Sequence, residues 1–193
     1  MPKVIGLTGN IACGKSAVGK ILESHGIPVL DSDTVVHELY AQDPKVRAAV
    51  LETFGTLDRS GIAKLVFGET KEAKAKRKIL EAIIHPAVDN KLRQWIRENN
   101  QHPLLFNLVP LIFEAGLESR YDYIVTVLCP EQQQLVRLRN RQPSLSEEER
   151  QKRIRSQMPQ KEKAQKSNYV LDNSSDLANL ESQVEDLLQI LRK

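Results

Sequence analysis

Short apolar runs alternate with stretches of helical spacing along this chain. The first run is Val4-Ile5-Gly6-Leu7-Thr8, closed by Gly9. A run this short, bounded by glycine, predicts a buried strand. Helical spacing follows, with Val18, Ile21 and Leu22 on one face and Gly26 where a C-terminal cap belongs. Ile27 to Leu30 predicts a second strand, ended by Asp31-Ser32-Asp33. Residues 34 to 54 have helical spacing with a restart at Pro44, and residues 55 to 70 are less regular. From Lys71 to about Asn99 the helical signal is strong. Ile79, Leu80, Ile83 and Ile84 form one stripe, and Val88, Leu92, Trp95 and Ile96 form the next. Pro86 falls between them, which predicts a kinked helix or two helices. Leu104 to Val109, Tyr123 to Leu128 and Tyr169-Val170-Leu171 predict three more strands. Residues 131 to 166 read as charged and helical. A last helix, capped at Ser175 or its neighbours, carries Leu177, Leu180, Val184, Leu187, Leu188 and Leu191 as a seam against the sheet.

Five short strands separated by helices predict an α/β fold, a parallel sheet with helices on both faces. Ligands of such folds sit at the carboxyl ends of the strands.

Composition narrows the class. The chain has 193 residues, 40% hydrophobic and 27% charged, which suits one globular domain with its own core. Two cysteines exclude a disulfide scaffold. No apolar run approaches the ~18 residues of a membrane span. The N-terminus enters a strand at once and leaves no room for a signal peptide, so a cytoplasmic protein is expected. The net charge of +3 hides an asymmetry, because Glu131 to Lys166 holds ten basic and five acidic residues. A confined basic region points to a small anionic ligand more than to a long polyanion.

Gly9-Asn10-Ile11-Ala12-Cys13-Gly14-Lys15-Ser16 matches G-x-x-x-x-G-K-[ST] in full. The glycines let backbone N–H groups turn inward, and the helix starting near Gly14 adds the positive end of its dipole. Lys15 reaches the β- and γ-phosphates of a nucleotide, and Ser16 offers a hydroxyl to Mg²⁺. Cys13 reads as a small residue that fits the loop rather than as a reactive thiol. Asp31 and Asp33 follow the second strand, Asp33 lying 18 residues after Lys15. The first two strands are expected to be neighbours with their carboxyl ends side by side, so that a carboxylate there faces the γ-phosphate and accepts a proton from an attacking hydroxyl or holds Mg²⁺ through water. One of the two is expected to cap the helix and Asp33 to act as the base.

Arg137 and Arg141 share one helical face, and Arg150, Lys152, Arg153 and Arg155 follow. With a phosphate loop in the same chain, these suggest two charged helices closing as a lid over phosphates. Aromatic residues are 5% of the chain and scarcely interleave with the arginines, so nucleic-acid binding is not expected. His85, before Pro86, reads equally as a cap or kink and as a substrate contact.

The ordered set of motifs resembles the dephospho-CoA kinase family over nearly the whole chain. It comprises the phosphate loop, Gly26 to Asp33, Leu57-Asp58-Arg59, Val66-Phe67, Ile83-Ile84-His85-Pro86 and Val109-Pro110-Leu111-Ile112-Phe113-Glu114. Arg137 to Arg141, Gln157 and Val170-Leu171-Asp172-Asn173 complete it. The resemblance implies a P-loop kinase-type three-layer α/β/α fold with a five-stranded parallel sheet. It implies a core of residues 1–55, 103–130 and 167–193, a helical substrate-binding region at about 56–102 and a lid at about 131–166. It further implies transfer of the ATP γ-phosphoryl group to the ribose 3′-hydroxyl of dephospho-CoA, with Mg²⁺. By position Asp33 matches the base, Lys15 and Ser16 the phosphate and Mg²⁺ contacts, and Arg141, with Arg137 beside it, the lid arginine. Asn10, Ala12, Cys13, Gly14 and Ala17 complete the ATP site. Arg59, His85 and Glu114 fall on the substrate side. Ala17 and Leu108 depart from the family pattern, removing a hydroxyl near the α-phosphate and a carboxylate near Mg²⁺. The small molecules ATP and dephospho-CoA are the expected partners, with no nucleic acid or membrane, and a monomer or small homo-oligomer. Another small-molecule or nucleotide kinase on the same core, or a nucleotide-binding switch NTPase, is the alternative.

Overall fold

β1 (Lys3–Thr8), β2 (Val29–Asp31), β3 (Leu104–Leu108), β4 (Tyr123–Leu128) and β5 (Tyr169–Asp172) form one all-parallel sheet in the order β2-β3-β1-β4-β5. The structure is a computed structural model and describes residues 1–66, 68 and 70–193. Phe67, part of the family motif set, lies outside the described residues. The connecting helices are α1 (Lys15–Ser24), α2 (Ser32–Gln42), α3 (Pro44–Phe54), α4 (Arg59–Val66) and α5 (Lys71–Glu98). They continue with α6 (Glu131–Arg141), α7 (Glu147–Arg155), α8 (Gln160–Lys166) and α9 (Leu177–Leu191).

The α/β class and the five parallel strands agree with the sequence reading, but the strand order does not match its simplest form. β3 lies between β1 and β2. Leu7 pairs with Leu108, and Leu108 with Asp31, so Asp31 is level with the end of β1 but two strands away, about 10 Å. All five residues of β3 are buried at this inner position, its one polar side chain, Asn107, donating to the Tyr121 hydroxyl at 3.0 Å.

The chain divides into two compact units, one of residues 1–31 with 99–193 and one of residues 32–98. In the first, α1 and α9 cover one face of the sheet. Val18, Ile21 and Leu22 of α1 meet Leu180, Val184 and Leu187 of α9 over Ile5, Leu7 and Val127. On the other face Val109, Ile112, Phe113 and Ile124 pack with Tyr121 and Met158, and α8 lies against β4. Gly6 points to that face, where a Cβ would stand 2.7 Å from Ile112 and 2.8 Å from Tyr121. In the second unit α5 is the spine on which α2, α3 and α4 pack, burying Leu39, Val50, Ile62 and Ile84.

Several local features decide between or correct the sequence expectations. α5 runs unbroken through Pro86, so His85 lies inside a helix and caps nothing. Helix α4 occupies part of the stretch without a clear period, held at its start by Asp58, whose carboxylate accepts the Ser60 and Gly61 N–H groups. The charged region folds as three helices rather than two. α7 opens with a capping box between Ser146 and Glu149, and Pro159 precedes α8. Asp176, a neighbour of Ser175 as the sequence reading allowed, caps α9, accepting the Asn179 N–H at 2.9 Å. Among the described residues no helix is long and apolar enough to cross a membrane.

Candidate active site

The loop between β1 and α1 begins at the carboxyl edge of the sheet. Three of its residues have positive φ: Gly9 at 147°, Ala12 at 61° and Gly14 at 106°. Gly14 caps α1, and no side chain caps this helix. The Ala17 N–H closes back on the Gly14 carbonyl at 2.9 Å, and the positive end of the α1 dipole faces the loop, where an anion is the natural ligand. Lys15 folds back over the loop, its Nζ donating to the carbonyl of Gly9 at 2.7 Å and of Asn10 at 3.4 Å. Ser16 is exposed in the first turn. Gly14 is fixed by more than its φ, since a Cβ there would lie 2.0 Å from the Asn173 Nδ2. Gly14→Ala is expected to destabilise the fold by about 1–3 kcal/mol and to weaken nucleotide binding, read by thermal melting with and without ATP.

A loop that turns its N–H groups inward leaves its carbonyls facing outward, and these need donors. A shell of side chains from distant segments supplies them. Gln134 Nε2 donates to Ile11 O at 2.7 Å, and Arg137 Nη1 donates to Ala12 O at 3.2 Å and Cys13 O at 3.3 Å. Asn173 Nδ2 donates to Cys13 O at 2.8 Å. The Ile11 N–H is taken by Gln157 Oε1 at 2.6 Å, and Asn10 Nδ2 reaches Met158 O at 3.1 Å. Gln160 joins loop to sheet: its Oε1 accepts from the Cys13 thiol and the Cys129 N–H, and its Nε2 donates to Cys129 O. The fully buried Gln134 and the half-buried Gln160 were not singled out in the sequence. One signal for Gln134 was present, because it shares a face of α6 with Leu135 and Leu138.

Cys13 and Cys129 share a hydrogen bond, and Cys13 is fully buried. That bond and burial push the Cys13 thiol far above the usual thiol range. The same bond, helped by Arg137, pulls Cys129 down to about 7 against its burial. Cys13 is thus a packed loop residue and not a nucleophile, as its size suggested.

Within residues 131–166 most of the arginines are engaged with their own region. Arg139 and Arg150 both pair with Glu147, at 3.2 and 3.3 Å, and Arg139 holds the Glu147 carboxyl below its ordinary range. Arg150 Nη2 also reaches the carbonyls of Gln142 and Pro143, and Arg153 donates to Gln142 Oε1 at 2.9 Å. Arg141, at the end of α6, is exposed and makes no described hydrogen bond or ion pair. The structure places Arg137 on the loop carbonyls and leaves the Arg141 guanidinium available to a ligand.

Glu114 follows β3 and lies in the first unit. Its Oε1 accepts the Met158 N–H at 2.9 Å and pairs with Lys163 Nζ at 2.9 Å. Lys163 is fully buried and also donates to Pro110 O at 2.8 Å. The Glu114 carboxylate therefore ties down the 157–160 connector that contacts the phosphate loop.

In the second unit Asp33 stands exposed in the first turn of α2. The helix dipole there favours the ionised carboxylate. Arg59 begins α4 and contacts His37 and Tyr40 of α2. His85 is exposed on α5. The sequence reading did not single out His37 or Tyr40, although His37 lies at i+4 from Asp33.

The model of the family described as dephospho-CoA kinase matches residues 3–179. A relative named dephospho-CoA kinase from Synechococcus sp. (strain JA-3-3Ab) is 37% identical, over 96% of this chain and 91% of its own. A crystal structure from Thermus thermophilus superposes with a TM-score of 0.84 and 36% identity, covering 98% of both chains. A dephospho-CoA kinase structure from Campylobacter jejuni, 24% identical, shares the fold at a TM-score of 0.68, over 98% of this chain and 96% of that one.

Proposed function

The chain belongs to the dephospho-CoA kinase family, and from that premise we propose that it moves the γ-phosphoryl group of ATP to the ribose 3′-hydroxyl of dephospho-CoA, with Asp33 as base. The family carries ATP-dependent phosphorylation of dephospho-CoA as its activity. The observation that supports the residue-level reading is the glycine-capped loop. Its Ile11, Ala12 and Cys13 carbonyls are engaged from outside, and no side chain caps the start of α1.

In this reading the backbone of Asn10, Ala12, Cys13, Gly14 and Ala17 lines the ATP phosphates. Lys15 leaves the Gly9 carbonyl to meet the β- and γ-oxygens. Ser16 suits Mg²⁺, a hard cation that takes one or two protein oxygens and fills its shell with water and phosphate. When bound, Mg²⁺ neutralises charge on the β- and γ-phosphates. Arg141 approaches the transferring group, where guanidinium charge counts most as the phosphoryl charge spreads. Arg137 acts on the loop itself, holding the carbonyls so that the amides stay turned inward. Arg59 and His85 serve the acceptor. Asp33 orients the 3′-hydroxyl and takes its proton, and positioning supplies most of the acceleration.

ADP release measured with ATP and Mg²⁺, with and without dephospho-CoA, tests the whole reading. Acceptor-dependent release with a product heavier by one phosphate supports it. Release indifferent to dephospho-CoA rejects it in favour of another acceptor or a nucleotide switch. Lys15→Ala is expected to raise the KM for ATP about 10- to 100-fold, the worth of one charged hydrogen bond, and to lower kcat as well. An unchanged KM would remove Lys15 from the phosphate site.

A further inference from the structure

The chain has two cysteines, and the fold brings both to the phosphate loop. Cys13 lies inside the loop, and Cys129 follows the last residue of β4. Both are free thiols, Cys13 fully buried and Cys129 3% exposed. Two side chains touch both residues. Gln160 Oε1 accepts from the Cys13 thiol at 3.3 Å and from the Cys129 N–H at 2.9 Å. Arg137 Nη1 donates to the Cys13 carbonyl at 3.3 Å and to the Cys129 sulfur at 3.5 Å. The loop has no slack against this strand, since a Cβ on Gly9 would stand 2.5 Å from the Val127 carbonyl oxygen.

The pair is unsymmetrical. The hydrogen bond from Cys13 comes first, and the Arg137 guanidinium after it, in stabilising a thiolate at Cys129 against burial and the Asp172 carboxylate. The same contact and burial hold the proton on Cys13, against the Lys15 charge. Cys13 is therefore no nucleophile while Cys129 carries the charge, and Cys129 is the sulfur that attacks. A thiolate in contact with a second thiol is the arrangement that small oxidants convert to a disulfide. The 3% exposure of Cys129 suits an oxidant the size of a peroxide rather than a bulky disulfide. No step of the proposed phosphoryl transfer uses either sulfur.

We propose that Cys13 and Cys129 are a modification site, joined by hydrogen peroxide into a reversible disulfide that lowers the affinity of the loop for nucleotide. The Cys129 thiolate attacks one oxygen of the peroxide. The O–O bond breaks, hydroxide leaves and takes a proton from solvent, and Cys129 becomes a sulfenic acid. The charge that held the Cys13 proton is then gone. Cys13 Sγ attacks the Cys129 sulfur, the S–O bond breaks, and the oxygen leaves as water with the Cys13 proton. The two thiols lose two electrons and the peroxide gains them. A hydrogen-bonded sulfur pair is wider than a sulfur–sulfur bond, so closing it draws the loop toward β4. Gly9 is already against Val127, so the movement falls on the residues after it, whose amides line the phosphates in the reading above. Arg137 also loses the charge it faces at Cys129 while it holds the Ala12 and Cys13 carbonyls. A shift of about 1 Å in groups that position a substrate is enough to cost ~10²-fold in turnover.

The test treats the reduced full chain with hydrogen peroxide and reads the digested protein by mass. The peptide holding Cys13 should be found linked to the peptide holding Cys129, and with two cysteines in the chain no other internal pairing competes. Calorimetric titration of the oxidised protein with ATP should show affinity lowered about 10-fold or more, the worth of one phosphate contact. Dithiothreitol should restore it. Oxidation of Met158, the other sulfur near the loop, is not undone by a dithiol, so recovery separates the two. Cys129→Ala should keep its ATP affinity through the peroxide treatment, and Cys129→Ser repeats the measurement if the alanine variant folds poorly. A sulfinic or sulfonic acid at Cys129 without the linked peptide, a bond between two chains, or a linked protein that binds ATP as the reduced one does would each overturn the proposal. Failure of the functional reading looks different. ADP release by the reduced protein would then ignore dephospho-CoA, while the linked peptide and the change in ATP affinity would stand.

Discussion

Asp33→Asn is expected to lower kcat by about 10²- to 10⁴-fold, the usual weight of a positioned general base in proton transfer. The affinity for ATP should stay the same. The carboxylate stands in the first turn of α2, where the helix dipole supports its charge, and it is exposed to an incoming hydroxyl. Asparagine keeps the shape and a hydrogen-bonding oxygen but cannot take up the proton. The KM for dephospho-CoA should therefore shift far less than kcat. ADP release gives the rates, and titration of the variant with ATP gives the affinity. A fall in ATP affinity that tracks the fall in turnover would remove Asp33 from the base role and make it part of the nucleotide site.

Glu114→Ala is expected to cost about 3 kcal/mol of stability, the lower end for breaking a buried ion pair because Glu114 retains 22% exposure. For a chain of this size that is a drop of about 6–12 °C in melting temperature. Lys163 would be left fully buried with only the Pro110 carbonyl to satisfy it. The double variant Glu114→Ala/Lys163→Met should recover part of the loss, since it removes the charge instead of stranding it. If the double variant melts below Glu114→Ala, the pair is not what holds this region. The single variant should also raise the KM for ATP. Glu114 anchors the Met158 N–H, and the neighbouring Gln157 holds the Ile11 N–H of the phosphate loop.

The features legible in the sequence are those whose cause is local. The phosphate loop occupies eight consecutive residues, and its two outer glycines are the ones with φ of 147° and 106°. Tyr123 to Leu128 could be read as a strand because an apolar run of that length, apolar on both faces, has no other way to bury itself. The helix restart at Pro44 and the glycine after α1 are likewise local, for each needs only its own φ. α4 escaped because eight residues give barely two turns of period, although its capping Asp58 was visible. Of the two readings Pro86 left open, a break into two helices is the one the structure rejects, because packing of α2, α3 and α4 along α5 outweighs the one helical hydrogen bond that proline removes.

Tertiary structure alone decided what joins residues far apart. The insertion of β3 between β1 and β2 depends on which apolar faces fit together, and no single strand encodes that choice. The donors and acceptors around the phosphate loop come from Gln134, Arg137, Gln157 and Asn173, more than 100 residues away, and each looks like any polar side chain until the loop backbone faces it. Glu114 could be placed in a functional stretch by sequence, but its bond to Lys163 arises only when β3 and α8 are brought to the same side of the sheet. The chain order thus determined that phosphate chemistry would occur at the end of β1. Packing determined which side chains hold that loop in shape, because hydrogen-bond partners are set by distance in space and not along the chain.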